Sequence, residues 1–141
     1  MYTTFTKPYM TVTKILERNN IKTDKMFFID CATPVAGRTE MHGTSKSLFC
    51  QPQSLTNISI AIGHALESIP KGNDKVLILD SLTTLMLYNS EKNVIQFIHS
   101  LSGKARAWNV KSIIYSVVED TDKKTISEIS QFCDTCIRIK E

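Results

Sequence analysis

The stretch Lys75-Val76-Leu77-Ile78-Leu79-Asp80-Ser81-Leu82-Thr83-Thr84-Leu85-Met86-Leu87-Tyr88 decides how the chain is read. Its apolar run from Val76 to Leu79 leads directly into a carboxylate and then a hydroxyl. A continuous apolar run this short fits a strand buried on both faces, as in parallel sheets covered by helices. Open α/β sheets place their ligands outside the carboxyl ends of such strands. Asp80 therefore has two readings: an acid of a metal or phosphate site, or a cap for the segment that follows.

Outward from this strand, the chain alternates strand and helix patterns. Tyr2 to Thr6 alternates aromatic residues with threonines and predicts a strand. Pro8 suits the first turn of a helix, with Thr6 or Lys7 near the cap. Val12, Ile15 and Leu16 keep helical spacing up to Asn19-Asn20, a helix stop. Met26-Phe27-Phe28-Ile29-Asp30 is a second apolar run that ends in a carboxylate, so a second buried strand is expected. Leu48 to Gln51 reads as a short strand. Ser54 then caps a helix with Leu55, Ile58, Ile62, Leu66 and Ile69 in one stripe. Ser90 caps another, with Val94, Phe97, Ile98, Leu101 and Ala105 inward and Trp108 as a core anchor at its end. Ser112 to Val118 predicts a strand, Thr125 to Phe132 a short helix, and Cys136 to Ile139 a last strand. The alternation predicts an α/β fold with a mainly parallel sheet.

Composition narrows the classes. A chain of 141 residues suits one domain, taken here as residues 1–141. Hydrophobic content of 42% and charged content of 22% are those of a globular protein. A formal net charge of +3, with scattered lysines, gives no basic patch, so no nucleic acid is expected as a partner. No apolar run approaches the roughly 20 residues that span a bilayer, and Met1-Tyr2-Thr3-Thr4-Phe5 lacks the features of a signal peptide. No membrane partner is predicted, and a cytoplasmic location is the default expectation.

Two motifs invite chemistry and favour a plainer reading. Thr33 to Lys46 is polar, carries Pro34, Gly37 and Gly43, and reads as a surface loop. Its Gly37-to-Ser47 segment superficially resembles a phosphate-binding loop. The five residues between its glycines and the Thr44-Ser45 placed before Lys46 break the pattern of Gly, four residues, then Gly-Lys-Ser/Thr. Cys133-Asp134-Thr135-Cys136 has the spacing of half a zinc site or a redox dithiol, but no second ligand pair accompanies it. The pair falls where a helix ends and a strand begins, away from the helix N-terminus that activates thiols. Cys31 and Cys50 stand alone, and the pair is expected to consist of buried or half-buried structural cysteines.

The ordered set Tyr2-Thr3-Thr4-Phe5-Thr6-Lys7-Pro8, Phe27-Phe28-Ile29-Asp30, Ser54-Leu55-Thr56, Leu77-Ile78-Leu79-Asp80-Ser81-Leu82-Thr83-Thr84-Leu85 and Ser130-Gln131-Phe132-Cys133-Asp134 resembles the RecA superfamily, and more closely archaeal KaiC-like ATPase domains. The resemblance covers nearly all of the chain. It implies a RecA-like three-layer sandwich in which Asp80 is the Walker B acid at the magnesium position, with Ser81 beside it.

Two departures from that family shape the functional expectation. A RecA-like domain opens with a strand, a P-loop and a helix that together cradle a triphosphate, and these residues begin at the strand that follows. By the resemblance, this leaves the β- and γ-phosphates without their backbone amides and lysine. The family's paired glutamates, one of which activates the attacking water, are matched by Thr6 and Lys7. Neither accepts a proton as a carboxylate does. The resemblance also places the P-loop strand between the last strand and the one at Ser112 to Val118, so its loss predicts a gap or a bare sheet edge. The expectation is a domain without catalytic residues that acts as a regulatory or protein-interaction module. Its partner would be a protein, or a second copy held through the bare edge. The alternative is an ATP-binding or ATP-hydrolysing signalling protein that uses ATP, magnesium, Asp80 and Ser81 with a P-loop from another segment or chain. A thiol redox protein built on Cys133 and Cys136 is a third reading.

Overall fold

Among the described residues, five short strands, every neighbouring pair parallel, form one sheet in the order β3-β2-β1-β4-β5. The computed structural model describes residues 1–36, 44–117 and 123–139. The strands are β1 (Tyr2–Thr4), β2 (Phe28–Asp30), β3 (Ser47–Phe49), β4 (Lys75–Asp80) and β5 (Val110–Ile114). The helices are α1 (Tyr9–Arg18), α2 (Leu55–Ser68), α3 (Leu82–Met86), α4 (Glu91–Ala107) and α5 (Lys123–Ser130), with a 3-10 turn at Pro34–Ala36. The α/β class and the parallel sheet are as expected from the alternation of patterns.

The period of two along each strand sorts side chains to opposite faces. Thr3, Ile29, Leu77 and Leu79 point to one face, where they meet Ile58, Ile62 and Leu66 of α2 and Val94, Ile98 and Leu101 of α4 in the main core. The apolar stripes of both helices lie on that side. Trp108, half-buried at the end of α4, packs against the same core and stands over Gly63 of α2, where an added Cβ would lie 3.5 Å from its ring. Tyr2, Phe28, Ile78 and Ile113 share the opposite face by register. There α1 covers the β2 side, with the ring of Tyr9 5.8 Å from that of Phe28. Asn20, at φ 59°, ends α1 in a Schellman turn, with Ile21 N donating to Leu16 O at 2.9 Å.

The structure corrects several expectations. β4 is not buried on both faces: Leu77 and Leu79 are 1% exposed, whereas Val76 is 36% exposed. Among the described residues, no helix covers the β4–β5 half of the α1 face, which leaves Ile113 and Tyr115 exposed. The expected strand at Cys136 to Ile139 is absent: residues 135–139 belong to no strand, and Ile137 and Ile139 are 79% and 83% exposed. A strand is held by its ladder, and this tail pairs with no strand among the described residues. The first helix begins at Tyr9 with Pro8 as its N-cap rather than Thr6 or Lys7. Ser54 occupies the N-cap of α2 without a side-chain cap bond. α3 had no counterpart among the expected elements. Most of the segment that mimics a P-loop, residues 37–43, lies outside the described residues.

Candidate functional site

The carboxyl ends of β1 and β4 and the segment after β5 open into a cleft of about 1280 Å³, lined among others by Thr6, Lys7, Asp80, Ser81, Thr84 and Tyr115. Parallel strands bring these residues together from distant parts of the sequence, since all the strand ends point the same way. Thr4 lies opposite Asp80 in the register, and Phe5 N donates to Asp80 O at 2.7 Å, extending the pairing by one residue.

Asp80 sits at the mouth of this cleft, partly exposed. Its Oδ2 accepts a hydrogen bond from the Tyr2 hydroxyl at 2.5 Å. Burial first, and then this carboxylate, push the Tyr2 phenol well above its ordinary pKa. The cap reading belongs to the neighbouring residue: Ser81 Oγ accepts from Thr84 N at 3.3 Å and starts α3. The peptide between Asp80 and Ser81 is cis. Ser81 Oγ is also 3.0 Å from Thr84 Oγ1, which is 2.9 Å from Thr6 Oγ1. Three hydroxyls therefore run in a chain from the buried Ser81 to the exposed Thr6. Lys7 is exposed at the rim, its backbone tied to Thr4 through a turn in which Thr4 Oγ1 donates to Lys7 O at 2.6 Å.

Part of the oxygen donor set at this corner is already engaged. Tyr2 holds one oxygen of Asp80, and the Ser81 hydroxyl is engaged with Thr84. Among the described residues only Oδ2 of Asp80 is engaged by a side chain, and a single carboxylate holds magnesium together with waters and substrate phosphates. Among the described residues, no group of three or more His, Cys, Asp or Glu side chains is placed to hold a metal ion.

Among the described residues, the carboxylate most deeply built into the fold is Asp30, fully buried at the end of β2. Its Oδ1 accepts from Ala32 N at 2.9 Å and Thr33 N at 2.8 Å. Its Oδ2 accepts from Thr33 Oγ1 at 2.6 Å and from Tyr9 N, the first amide of α1, at 2.9 Å. It thus closes the turn after β2 and caps α1, and the helix dipole favours its negative charge. Sequence reasoning identified the strand that ends in Asp30 but not this role. The available signal was the threonine three residues later, since Asp side chains close turns on backbone amides two or three residues ahead.

The cysteines divide. Cys31 and Cys50 are buried, whereas the pair Cys133 and Cys136 is exposed, contrary to expectation. The tail that carries them lacks the strand that would have covered them. Desolvation, followed by the neighbouring Cys136 and Asp134, pushes the Cys133 thiol up, which disfavours the thiolate that redox exchange needs.

The geometry defines an α/β domain with a largely apolar cleft, edged by Thr6, Lys7, Asp80 and Ser81, at the carboxyl ends of a parallel sheet. The chain belongs to a family of unknown function (DUF7504), whose model matches residues 4–139. No curated protein and no solved structure matches it. No helix of the described residues is long and apolar enough to cross a membrane.

Proposed function

We propose that this chain is a RecA/KaiC-like domain working as a non-catalytic regulatory or protein-interaction module. The observation that carries this reading is that, among the described residues, half of the α1 face is open beside a strand edge that pairs with no strand. Val76 and Ile113 are exposed there, with Tyr115 and Leu87 nearby. Parallel sheets are normally covered on both faces, so apolar surface of this kind marks an interaction site. The strand order supports the RecA-like assignment: β1 lies beside β4, and β5 stands at the edge, where that fold would continue into its P-loop strand. The cleft supports the non-catalytic part. By the resemblance to KaiC-like ATPases, Thr6 and Lys7 match the paired glutamates of those domains, and the Thr6 hydroxyl is engaged with Thr84. Neither side chain can take a proton from an attacking water as a carboxylate does.

The position of Asp80 at the cleft mouth favours a second reading, an ATP-binding protein that uses Asp80 and Ser81 once a phosphate cradle is supplied. Calorimetric titration with ATP and magnesium, with Asp80→Ala alongside, separates the two. The proposal expects no binding heat at about 1 mM ATP, where even a millimolar Kd is half saturated. Magnesium-dependent heat that disappears in Asp80→Ala overturns it in favour of nucleotide binding.

A further inference from the structure

We infer that the partner at the open edge is a second copy of the chain, joined by antiparallel pairing of the two β5 strands about a two-fold axis at Ile113. This rests on the interaction-module reading and names its partner. Backbone direction is the first argument. Tyr115 N donates to Leu79 O at 3.0 Å, and Tyr115 O accepts from Leu82 N at 2.8 Å, so Tyr115 bonds inward to the end of β4. Bonding direction alternates along a strand, so Lys111 and Ile113 also bond inward, while Ser112 and Ile114 turn their N–H and C=O groups outward. Among the described residues, no strand pairs with that outer edge.

With Ile113 opposite its own copy, Ser112 of each chain lies opposite Ile114 of the other. Each such pair exchanges an N–H and a C=O in both directions, giving four inter-chain hydrogen bonds. Ile113 then faces its copy across the closer, non-hydrogen-bonded position, and both exposed side chains lose water contact.

Charge selects this register. Lys111, Ile113 and Tyr115 share the open face, with a cation at one end and an exposed aromatic ring at the other. Reversing the strand about Ile113 sets each Lys111 opposite Tyr115 of its copy, where the ring accepts the ammonium. Centring the pair on Lys111 would oppose two ammonium groups, which is destabilising. The edge is therefore complementary to itself, and a two-fold joins two copies of one patch.

Sedimentation equilibrium of the whole chain up to about 1 mM, a concentration that half-populates even a millimolar dimer, tests the pairing. The expected result is a mass that rises with concentration from the monomer's towards twice that value. Ser112→Pro removes an outward N–H that the fold does not use, and proline is tolerated there on an edge strand. This variant is expected to stay monomeric with an unchanged far-ultraviolet spectrum, and the exposed Ile113→Lys likewise. In a background of Cys133→Ser and Cys136→Ser, Ile113→Cys is expected to form a disulfide-linked dimer on oxidation. A strict monomer at about 1 mM, or a dimer that survives both Ser112→Pro and Ile113→Lys, overturns the inference. A monomer that also binds no ATP removes self-pairing alone. ATP binding that depends on Asp80 removes the non-catalytic reading, whatever the mass.

Discussion

The hydroxyl of Tyr2 reaches across the β1–β4 pair and donates to Asp80 Oδ2 at 2.5 Å, so the carboxylate at the cleft mouth is held by the second residue of the chain. The bond uses the side-by-side position of strands that are more than 70 residues apart in sequence. Tyr2→Phe should destabilise the domain by about 1 kcal/mol, the ordinary net worth of a partly exposed hydrogen bond. Denaturant titration of the pair of proteins checks this.

Stability should fall at alkaline pH. The Cys31 thiol is fully buried, and burial pushes it well above its ordinary value of 9.0; Tyr2 is raised in the same way. For a group raised in the folded state, the unfolded chain loses its proton first. The stabilising contribution is therefore complete below the unfolded pKa and disappears as pH rises beyond it. Above pH 9.0, Cys31 should lower the unfolding free energy by about 1.4 kcal/mol per pH unit. Denaturation midpoints across that window should drop more steeply for the parent than for Cys31→Ala, each compared with its own value at neutral pH.

Asp30 receives four hydrogen bonds without exposure to water. Asp30→Ala would leave those donors unpaired in the interior and should destabilise by about 3–5 kcal/mol, a large part of a small domain's stability. Loss of a cooperative thermal transition is the expected outcome, and retention of the parent's midpoint would refute the role assigned here.

Thr3 lies at the centre of the sheet, and its Oγ1 has no hydrogen-bond partner among the described residues. A buried hydroxyl without a partner is a standing cost, and valine has nearly the same shape. Thr3→Val should raise stability by about 1 kcal/mol, visible as a higher urea midpoint with an unchanged slope.

Gly63 lies inside α2, where glycine is a poor helix former, and a Cβ there would meet the Trp108 ring at an ordinary contact distance of 3.5 Å. Gly63→Ala should stabilise by about 0.5–1 kcal/mol, and a lower melting temperature would show that the ring cannot accommodate the methyl.

The sequence by itself determined the elements whose signal is local. The stripes of α2 and α4, the Ser90 cap and the stop at Asn19-Asn20 can be read from neighbouring residues, because helices satisfy their backbone bonds within a few positions. The apolar runs ending in Asp30 and Asp80 likewise announced β2 and β4. Tertiary structure decided what depends on a distant partner. The tail from Cys136 to Ile139 has a strand's pattern, but no ladder among the described residues holds it. Both acids end strands in sequence, but Asp30 became the buried cap of α1 because Tyr9 and Thr33 converge on it, while among the described residues the Asp80 carboxylate met the Tyr2 hydroxyl at an open cleft. Local pattern fixes which residues can form a strand or a helix; burial and hydrogen-bond partners come from elements far along the chain and are settled only when the sheet assembles.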